Sequence, residues 1–372
     1  MRFKFLFLLM LLIGALTAGG LVSAQQTGSL ILWVGGDLYR VTDSLTAELL
    51  TDSGTISSPA LSPSGEMIAY KQAAAVGIEA LDRVQAEGEI ADIDLPADIA
   101  ILNLTTGTTE TIAGQPDNAS LFVEGTPDNA VVRSAPAWSP DGGRLAWTEF
   151  PFGAEVPRLV IYDPASASQT VIVDAIPVTV TQGTSPEIRW GADGFAVNAS
   201  TDSAGEQAYL IYGEDGALRA APRIAPVSED YVLDFFWVYG EANSYLGLFY
   251  ASGRWTLLDA QTGVGVPFPD VPHLISRANP DTSLRLRFDV TPDMGMFWEA
   301  LDTTIAYTGA PSRVTLSPMG ESIGFIGYPS FNAAAIWQAD AITPVANTGD
   351  GEGALEVGAI LWGATMWRAN LP

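Results

Sequence analysis

Short apolar runs alternate along most of this chain with clusters of Ser, Pro, Asp and Gly. Within the runs, apolar positions either alternate with polar ones or are continuous, which predicts strands exposed on one face or buried on both. Asp98–Leu104 turns at Thr105-Thr106-Gly107 into Thr108–Ile112, and Arg158–Tyr162 turns at Asp163–Ser166 into Gln169–Val173. Ala208–Tyr212 and Trp255–Asp259 do the same at Gly213–Gly216 and Ala260–Gly263. Each pair reads as an antiparallel hairpin.

A second kind of hairpin precedes most of these, and it carries a recurring phrase. Ser57-Ser58-Pro59-Ala60-Leu61-Ser62-Pro63-Ser64-Gly65 leads into Met67–Tyr70, and Ser134-Ala135-Pro136-Ala137-Trp138-Ser139-Pro140-Asp141-Gly142 leads into Arg144–Trp147. Looser copies run from Ser185 to Val197 and from Ser312 to Phe325. Pro presets the first corner of the turn and Gly supplies the left-handed position that closes it. Degenerate first hairpins fit Tyr231–Phe249, Leu274–Phe288 and Val357–Arg368, the last with Trp362-Gly363 as its turn. The repeating unit is therefore two hairpins, or four antiparallel strands, recurring mostly at about 35–50 residues, the spacing of propeller blades. The expectation is an all-β fold: a β-propeller of seven four-stranded blades, or six if one degenerate unit is miscounted. Strands at Ser29–Trp33, Leu38–Val41 and Ala47–Leu50 have no first hairpin of their own, and Val357–Arg368 has no second. Pairing the two ends in one blade closes the ring and removes exposed sheet edges.

The phrase, clearest over 57–70 and 134–147, resembles the WD40-like PD40 repeat of TolB-type propellers. That repeat also occurs in the propeller domains of prolyl-oligopeptidase- and dipeptidyl-peptidase-type enzymes. The resemblance implies the fold and says little about activity, because its residues build turns and blade contacts; Asp141 reads as a turn residue.

Residues 1–24 stand apart. Arg2 and Lys4 precede the apolar run Leu6–Leu16, and Val22-Ser23-Ala24 ends in small residues, the make-up of a secretory signal cleaved after Ala24. The mature chain, 25–372, reads as one extracytoplasmic domain, in the periplasm or at the cell surface, with no membrane anchor after cleavage. The absence of cysteine excludes disulfides, thiol chemistry and a lipidated cysteine. The formal net charge of −26 becomes −28 without Arg2 and Lys4, and Lys71 is then the only lysine. Such a surface repels phosphate backbones and anionic headgroups, so nucleic acid is not an expected partner.

Catalytic chemistry is hard to find. There is no G-x-S-x-G elbow, the repeats leave no room for a hydrolase domain, and the single histidine, His273, has no nucleophile in view. One histidine and no cysteine disfavour zinc or copper. Calcium needs only oxygen ligands, but Asn347–Glu352 lacks the D-x-D-x-D-G register and Asp92-Ile93-Asp94 is equally weak. No cofactor is expected. The 43 acids leave open a glycosidase or lyase working through paired carboxylates.

In a meandering blade, the loop between its two hairpins and the loop to the next blade open on the same side. The longest insertions, 71–97 and 113–133, therefore emerge together, joined by 151–157. Ala74–Glu87 fits an amphipathic helix with Val76, Ala80, Leu81 and Val84 on one side and a Glu79–Arg83 pair. The second insertion repeats itself as Pro116-Asp117-Asn118-Ala119 and Pro127-Asp128-Asn129-Ala130. Long loops on a rigid scaffold are where binding residues concentrate. The candidate partner-binding face comprises Glu79, Asp82, Asp92, Asp94, Asp117, Asp128 and Phe152. The expected function is non-enzymatic binding of a protein, peptide or glycan by a monomeric propeller.

Overall fold

The computed structural model describes residues 29–42, 44–86, 95–178, 185–192, 194–199, 207–221, 223–224, 232–238, 244–249, 255–259, 265–268, 273–276, 279, 283–287, 296–300, 303–307, 314–327, 332–338, 341–349, 354–363 and 365–368. The signal-like residues 1–24 lie outside these.

Seven antiparallel sheets and one helix make up the described residues. The chain enters with β1 (Leu30–Val34), β2 (Asp37–Val41) and β3 (Ala47–Leu49), then builds a sheet from β4 (Ile56–Leu61), β5 (Met67–Ala73), β6 (Ala97–Asn103) and β7 (Thr109–Ala113). Helix α1 (Ala75–Ala86) interrupts that sheet between β5 and β6. The next contains β8 (Val131–Arg133), β9 (Ala137–Trp138), β10 (Leu145–Pro151), β11 (Arg158–Asp163) and β12 (Ser168–Val173). A third holds β13 (Ile188–Gly191), β14 (Gly194–Asn198), β15 (Gln207–Tyr212), β16 (Leu218–Ala220) and the short β17 (Arg223–Ile224). The fourth comprises β18 (Val232–Trp237), β19 (Ser244–Phe249), β20 (Trp255–Asp259) and β21 (Gly265–Pro267). The fifth is β22 (His273–Ser276), β23 (Ser283–Arg287), β24 (Met296–Ala300) and β25 (Thr303–Tyr307), and the sixth β26 (Val314–Leu316), β27 (Ile323–Ile326), β28 (Ala333–Gln338) and β29 (Ala341–Asn347). Finally β30 (Val357–Leu361) pairs with β1, so that β3-β2-β1-β30 is one sheet made from both ends of the sequence, while β31 (Thr365–Arg368) adds to the fifth sheet beside β22.

Val357–Arg368 is not a hairpin: β30 and β31 belong to different sheets. The connection between them is held by a contact distant in sequence: Gly363 N–H donates to Leu316 O at 3.0 Å, at the sixth sheet. The second insertion is also shorter than 113–133. Val131–Arg133 is already laddered to Glu149–Pro151, and the strand is split into β8 and β9 by Ser134-Ala135-Pro136, where Pro136 has no N–H to give. The hairpins β24–β25 and β28–β29, for which no turn signal was read, complete the fifth and sixth sheets.

The recurring phrase has a common chemistry. Its serine is buried at Ser62, Ser139 and Ser317. In these three copies the serine carbonyl accepts from the turn glycine, Gly65, Gly142 or Gly320, at 2.8 Å, whereas the copy at 185–197 has Gly191 in place of the serine. The same serine's hydroxyl accepts from the amide five residues on: Met67 at 3.0 Å, Arg144 at 2.9 Å and Ser322 at 3.1 Å. Asp141 tightens its own copy. Its carboxylate accepts from Ser139 Oγ at 2.6 Å and Gly143 N at 2.9 Å, and these bonds hold its pKa below the ordinary aspartate value.

Neighbouring sheets are stitched by side chains reaching backbone. Trp33 Nε1 donates to Ile56 O at 2.8 Å and Trp138 Nε1 to Ala60 O at 3.0 Å. Thr148 Oγ1 donates to Pro186 O at 2.5 Å, and Ser276 Oγ donates to Pro318 O. The core lies between the sheets. One cluster joins Ile31 and Leu38 to Ile68 and Leu102; another joins Ala69 and Ile99 to Trp138 and Trp147; a third joins Leu30 and Leu32 to Ile326 and Ile336.

Candidate functional site

Three separate stretches of sequence, 75–86, 114–130 and 151–157, converge above the first two sheets. Helix α1 begins where Ala74 O accepts from Gly77 N and Ile78 N. Gly77 packs closely there: a Cβ would lie 3.0 Å from Pro96 Cδ and from Pro96 O, so a larger residue would require Pro96 to shift by a few tenths of an ångström. The helix turns Ala80 inward, against Leu121 and Ala130, with Val76 and Phe152 packed around them. Phe152 N donates to Ala130 O at 2.8 Å, so the loop after β10 is tied to the loop before β8.

Arg83 lies at the helix C-terminus, where a cation is favourable. It does not pair with Glu79. Its guanidinium instead donates to Leu121 O at 2.6 Å, because the loop carbonyl sits over the buried side of the helix. Glu79 and Asp82 are left exposed.

The two Pro-Asp-Asn-Ala repeats do different work. The first is a turn, closed by Ala119 N to Pro116 O at 2.9 Å, with Asp117 exposed. The second is a clamp: Asp128 Oδ1 accepts from Phe122 N at 2.6 Å and Asn129 Oδ1 from Ser120 N at 2.8 Å. This clamp holds Phe122 at a φ of 55°, a region that bulky residues rarely enter. The Phe122 side chain is 43% exposed and Val123 41% exposed. The Phe122 ring meets Phe152 edge to face at 6.0 Å between centroids.

Beneath the loops is a buried polar node. Arg133 and Glu149 are 4% and 3% exposed, and Arg133 Nε lies 3.1 Å from Glu149 Oε2. The other Glu149 oxygen accepts from Arg158 Nε at 2.7 Å. Arg133 also donates to Ala97 O at 2.7 Å, where the first insertion rejoins the sheet, and to Gly114 O at 2.9 Å, where the second leaves it. Gln115 repeats the device, donating to Ala97 O and Val131 O and accepting from Val131 N at 2.7 Å. Burial pulls the Arg133 guanidinium below its usual pKa, and Glu149 opposes that pull. Burial also pushes Asp98 up, against the attraction of Arg133.

Of the residues singled out from sequence, Phe152 and Asp128 thus belong to the packed and hydrogen-bonded base of the face, whereas Glu79, Asp82 and Asp117 stand on its surface. Asp92 and Asp94 lie outside the described residues. His273 is buried within β22. Asn347 Oδ1 accepts from Gly349 N, an ordinary turn, and Asp350 and Glu352 lie outside the described residues. No group of three or more His, Asp or Glu able to hold a metal occurs among the described residues. Sequence reasoning missed Phe122, Val123 and the Arg133–Glu149–Arg158 node. The apolar pair Phe122-Val123, standing between two Pro-Asp-Asn-Ala repeats, was the available signal for the first two.

No protein-family model and no curated protein matches the sequence. Among solved structures, the chain is similar to an oligogalacturonate lyase in complex with manganese, at 14% identity over 81% of this chain and 83% of that one, with a TM-score of 0.49. It is similar to TolB from Acinetobacter baumannii, at 16% identity over 92% of this chain and 67% of that one, TM-score 0.45. It is also similar to the β-propeller domain of the Trilobed protease from Pyrococcus furiosus, at 12% identity, 79% and 84% coverage, and TM-score 0.45. Independently of these, this chain's own successive four-stranded antiparallel sheets are the architecture of a β-propeller.

Proposed function

We propose that this protein is an extracytoplasmic binding propeller of seven blades, which captures a protein partner through the face built by α1, 114–130 and 151–157. The observation that carries the reading is Phe122. It is an exposed aromatic held in a disfavoured backbone conformation by a carboxylate clamp, on loops anchored to the sheet by a buried ion pair. Backbone strain persists only where the surroundings over-determine it, and such strain clusters at binding sites. Large apolar side chains fixed in place are the usual anchors of interfaces.

Charge narrows the partner. Glu79, Asp82, Asp117, Glu124 and Glu155 are exposed around these loops, while the cations of the region, Arg83, Arg133 and Arg158, are engaged with Leu121 O and Glu149. The complementary surface is a protein segment carrying Lys or Arg beside an apolar side chain. The make-up of residues 1–24, that of a secretory signal, supports an extracytoplasmic location.

The test is parallel affinity capture from the producing cell's envelope and medium with the wild type and with Phe122→Ser/Val123→Ser. Any protein captured is then purified and titrated against both. A partner that binds the wild type at least tenfold more tightly supports the face; equal binding to the two, or no specific capture, contradicts it.

A further inference from the structure

One edge strand of each sheet touches its neighbours: β4 with β9, β9 with β13, β13 with β18, β22 with β26, β26 with β30, and β30 with β4. They are the inner strands. In six of the seven sheets the order among the described residues stops there, or, in the second sheet, at the split pair β8 and β9. The fifth continues. Its order is β25-β24-β23-β22-β31, with His273, Leu274, Ile275 and Ser276 opposite Arg368, Trp367, Met366 and Thr365. Strand β31 also touches β18, so it bridges the fourth and fifth sheets.

The route to this position is built in. Gly363 N donates to Leu316 O at 3.0 Å, and a Cβ on Gly363 would lie 2.9 Å from that oxygen and 3.1 Å from Pro318 Cα. Ser276 Oγ donates to Pro318 O and Asn279 Nδ2 to Met319 O at 3.1 Å, so β22 is held against the sixth sheet without help from β31. The fifth sheet likewise keeps the four strands of its neighbours when β31 is left out. A complete blade therefore carries an added strand on an inner edge, held by four residue pairs and a three-residue link.

We infer that the inner edge of β22 is a strand-acceptor site, filled here by the chain's own β31, and that it takes an extended peptide segment of another protein when β31 leaves. Main-chain ladder bonds supply affinity in this mode, and they do not depend on the identity of the added strand. The strand this edge holds by its backbone is Thr365-Met366-Trp367-Arg368, two apolar residues beside one cation, and a cationic segment of that make-up is the occupant expected for a protein of net charge −26. This site shares no residue with the loop face proposed above, and either reading can fail without the other.

The probe is a fluorescent synthetic peptide of residues 363–372. Two full-length variants are compared. Met366→Pro/Trp367→Pro removes adjacent ladder donors from β31, one of which faces β22 whatever the pairing phase. Ile275→Cys/Met366→Cys, at a directly opposed pair in a chain with no other cysteine, ties β31 to β22 when oxidised and frees it when reduced. The proline variant is expected to bind the peptide at least tenfold more tightly than wild type. Amide exchange at 273–276 should be at least tenfold faster than wild type and slow again on adding peptide, while β5 and β6 keep their protection. The cysteine variant should bind peptide reduced and not oxidised. Equal binding by its two redox forms, no binding by either, or unchanged exchange at 273–276 in a folded proline variant would overturn the inference. If the proline variant does not fold, the redox comparison decides alone.

Discussion

Arg133 and Glu149 face each other across β8 and β10, Nε to Oε2 at 3.1 Å, with both side chains all but closed to solvent. The pair does more than neutralise itself. Through Ala97 O and Gly114 O, Arg133 fixes the roots of both insertions, so the loop face rests on one buried cation.

Removing one partner leaves an uncompensated buried charge, which costs about 3–5 kcal/mol. Glu149→Ala should therefore lose about that much in denaturant unfolding, and more than Glu149→Gln, which keeps an acceptor for Arg158. Arg133→Met/Glu149→Leu should recover part of the loss, because the fully buried charge goes with its partner, while Arg158, the other cation on Glu149, is 39% exposed and reaches water. A Glu149→Ala variant as stable as wild type would show that the node bears no load.

Asp98 gives a pH prediction. Burial raises its folded pKa above the ordinary aspartate value. A raised carboxylate pKa penalises the folded state once pH is above it, and the penalty vanishes below the unfolded value. Asp98→Asn should therefore gain stability relative to wild type at neutral pH. The gain should shrink as pH falls through the folded pKa and disappear below the unfolded one. Stability curves at several pH values check this; a difference that grows on acidification would contradict it.

Gly191 and Trp237 test the contact between the third and fourth sheets. A Cβ on Gly191 would fall 1.8 Å from Trp237 Cδ2, so the indole lies directly on the glycine. Gly191→Ala should cost about 1–3 kcal/mol by overpacking. Trp237→Leu in the same chain should make the alanine cheaper, and a double-mutant cycle measures that coupling.

Phe122 separates stability from binding. Its left-handed conformation carries about 1–2 kcal/mol of backbone strain. Phe122→Gly relieves that strain and loses the edge contact with Phe152, so melting should be unchanged or slightly raised, in spite of the flexibility a glycine adds to the unfolded chain. A clear drop in melting temperature would mean that Phe122 is a folding residue.

The fold was legible wherever a repeat carried its own turn chemistry. Ser62, Ser139 and Ser317 make the same bonds five residues apart, and that local pattern survives in sequence. The pairing of β1 with β30 was legible because each end lacked half a blade. The destination of β31 was not, since Met366-Trp367 after Trp362-Gly363 reads equally well as the return strand of a hairpin; Leu316 O, far away in sequence, decides it. The meeting of the two insertions followed from meander geometry alone. The node beneath them did not, because Arg133, Glu149 and Arg158 are single residues on three strands, and no spacing marks them as neighbours. The Glu79–Arg83 pair failed for a similar reason: a loop carbonyl competed successfully for the guanidinium.

The central claim is that the loop face binds, with Phe122 as its anchor and acids as its rim. The most direct measurement is a titration of the captured partner, or of a peptide from it with Lys or Arg beside an apolar residue, against wild type and Phe122→Gly at low and high salt. The account predicts at least tenfold weaker binding by an equally stable variant, and weaker binding by both proteins as salt screens the acidic rim. Identical affinity for the two proteins, independent of salt, would contradict it.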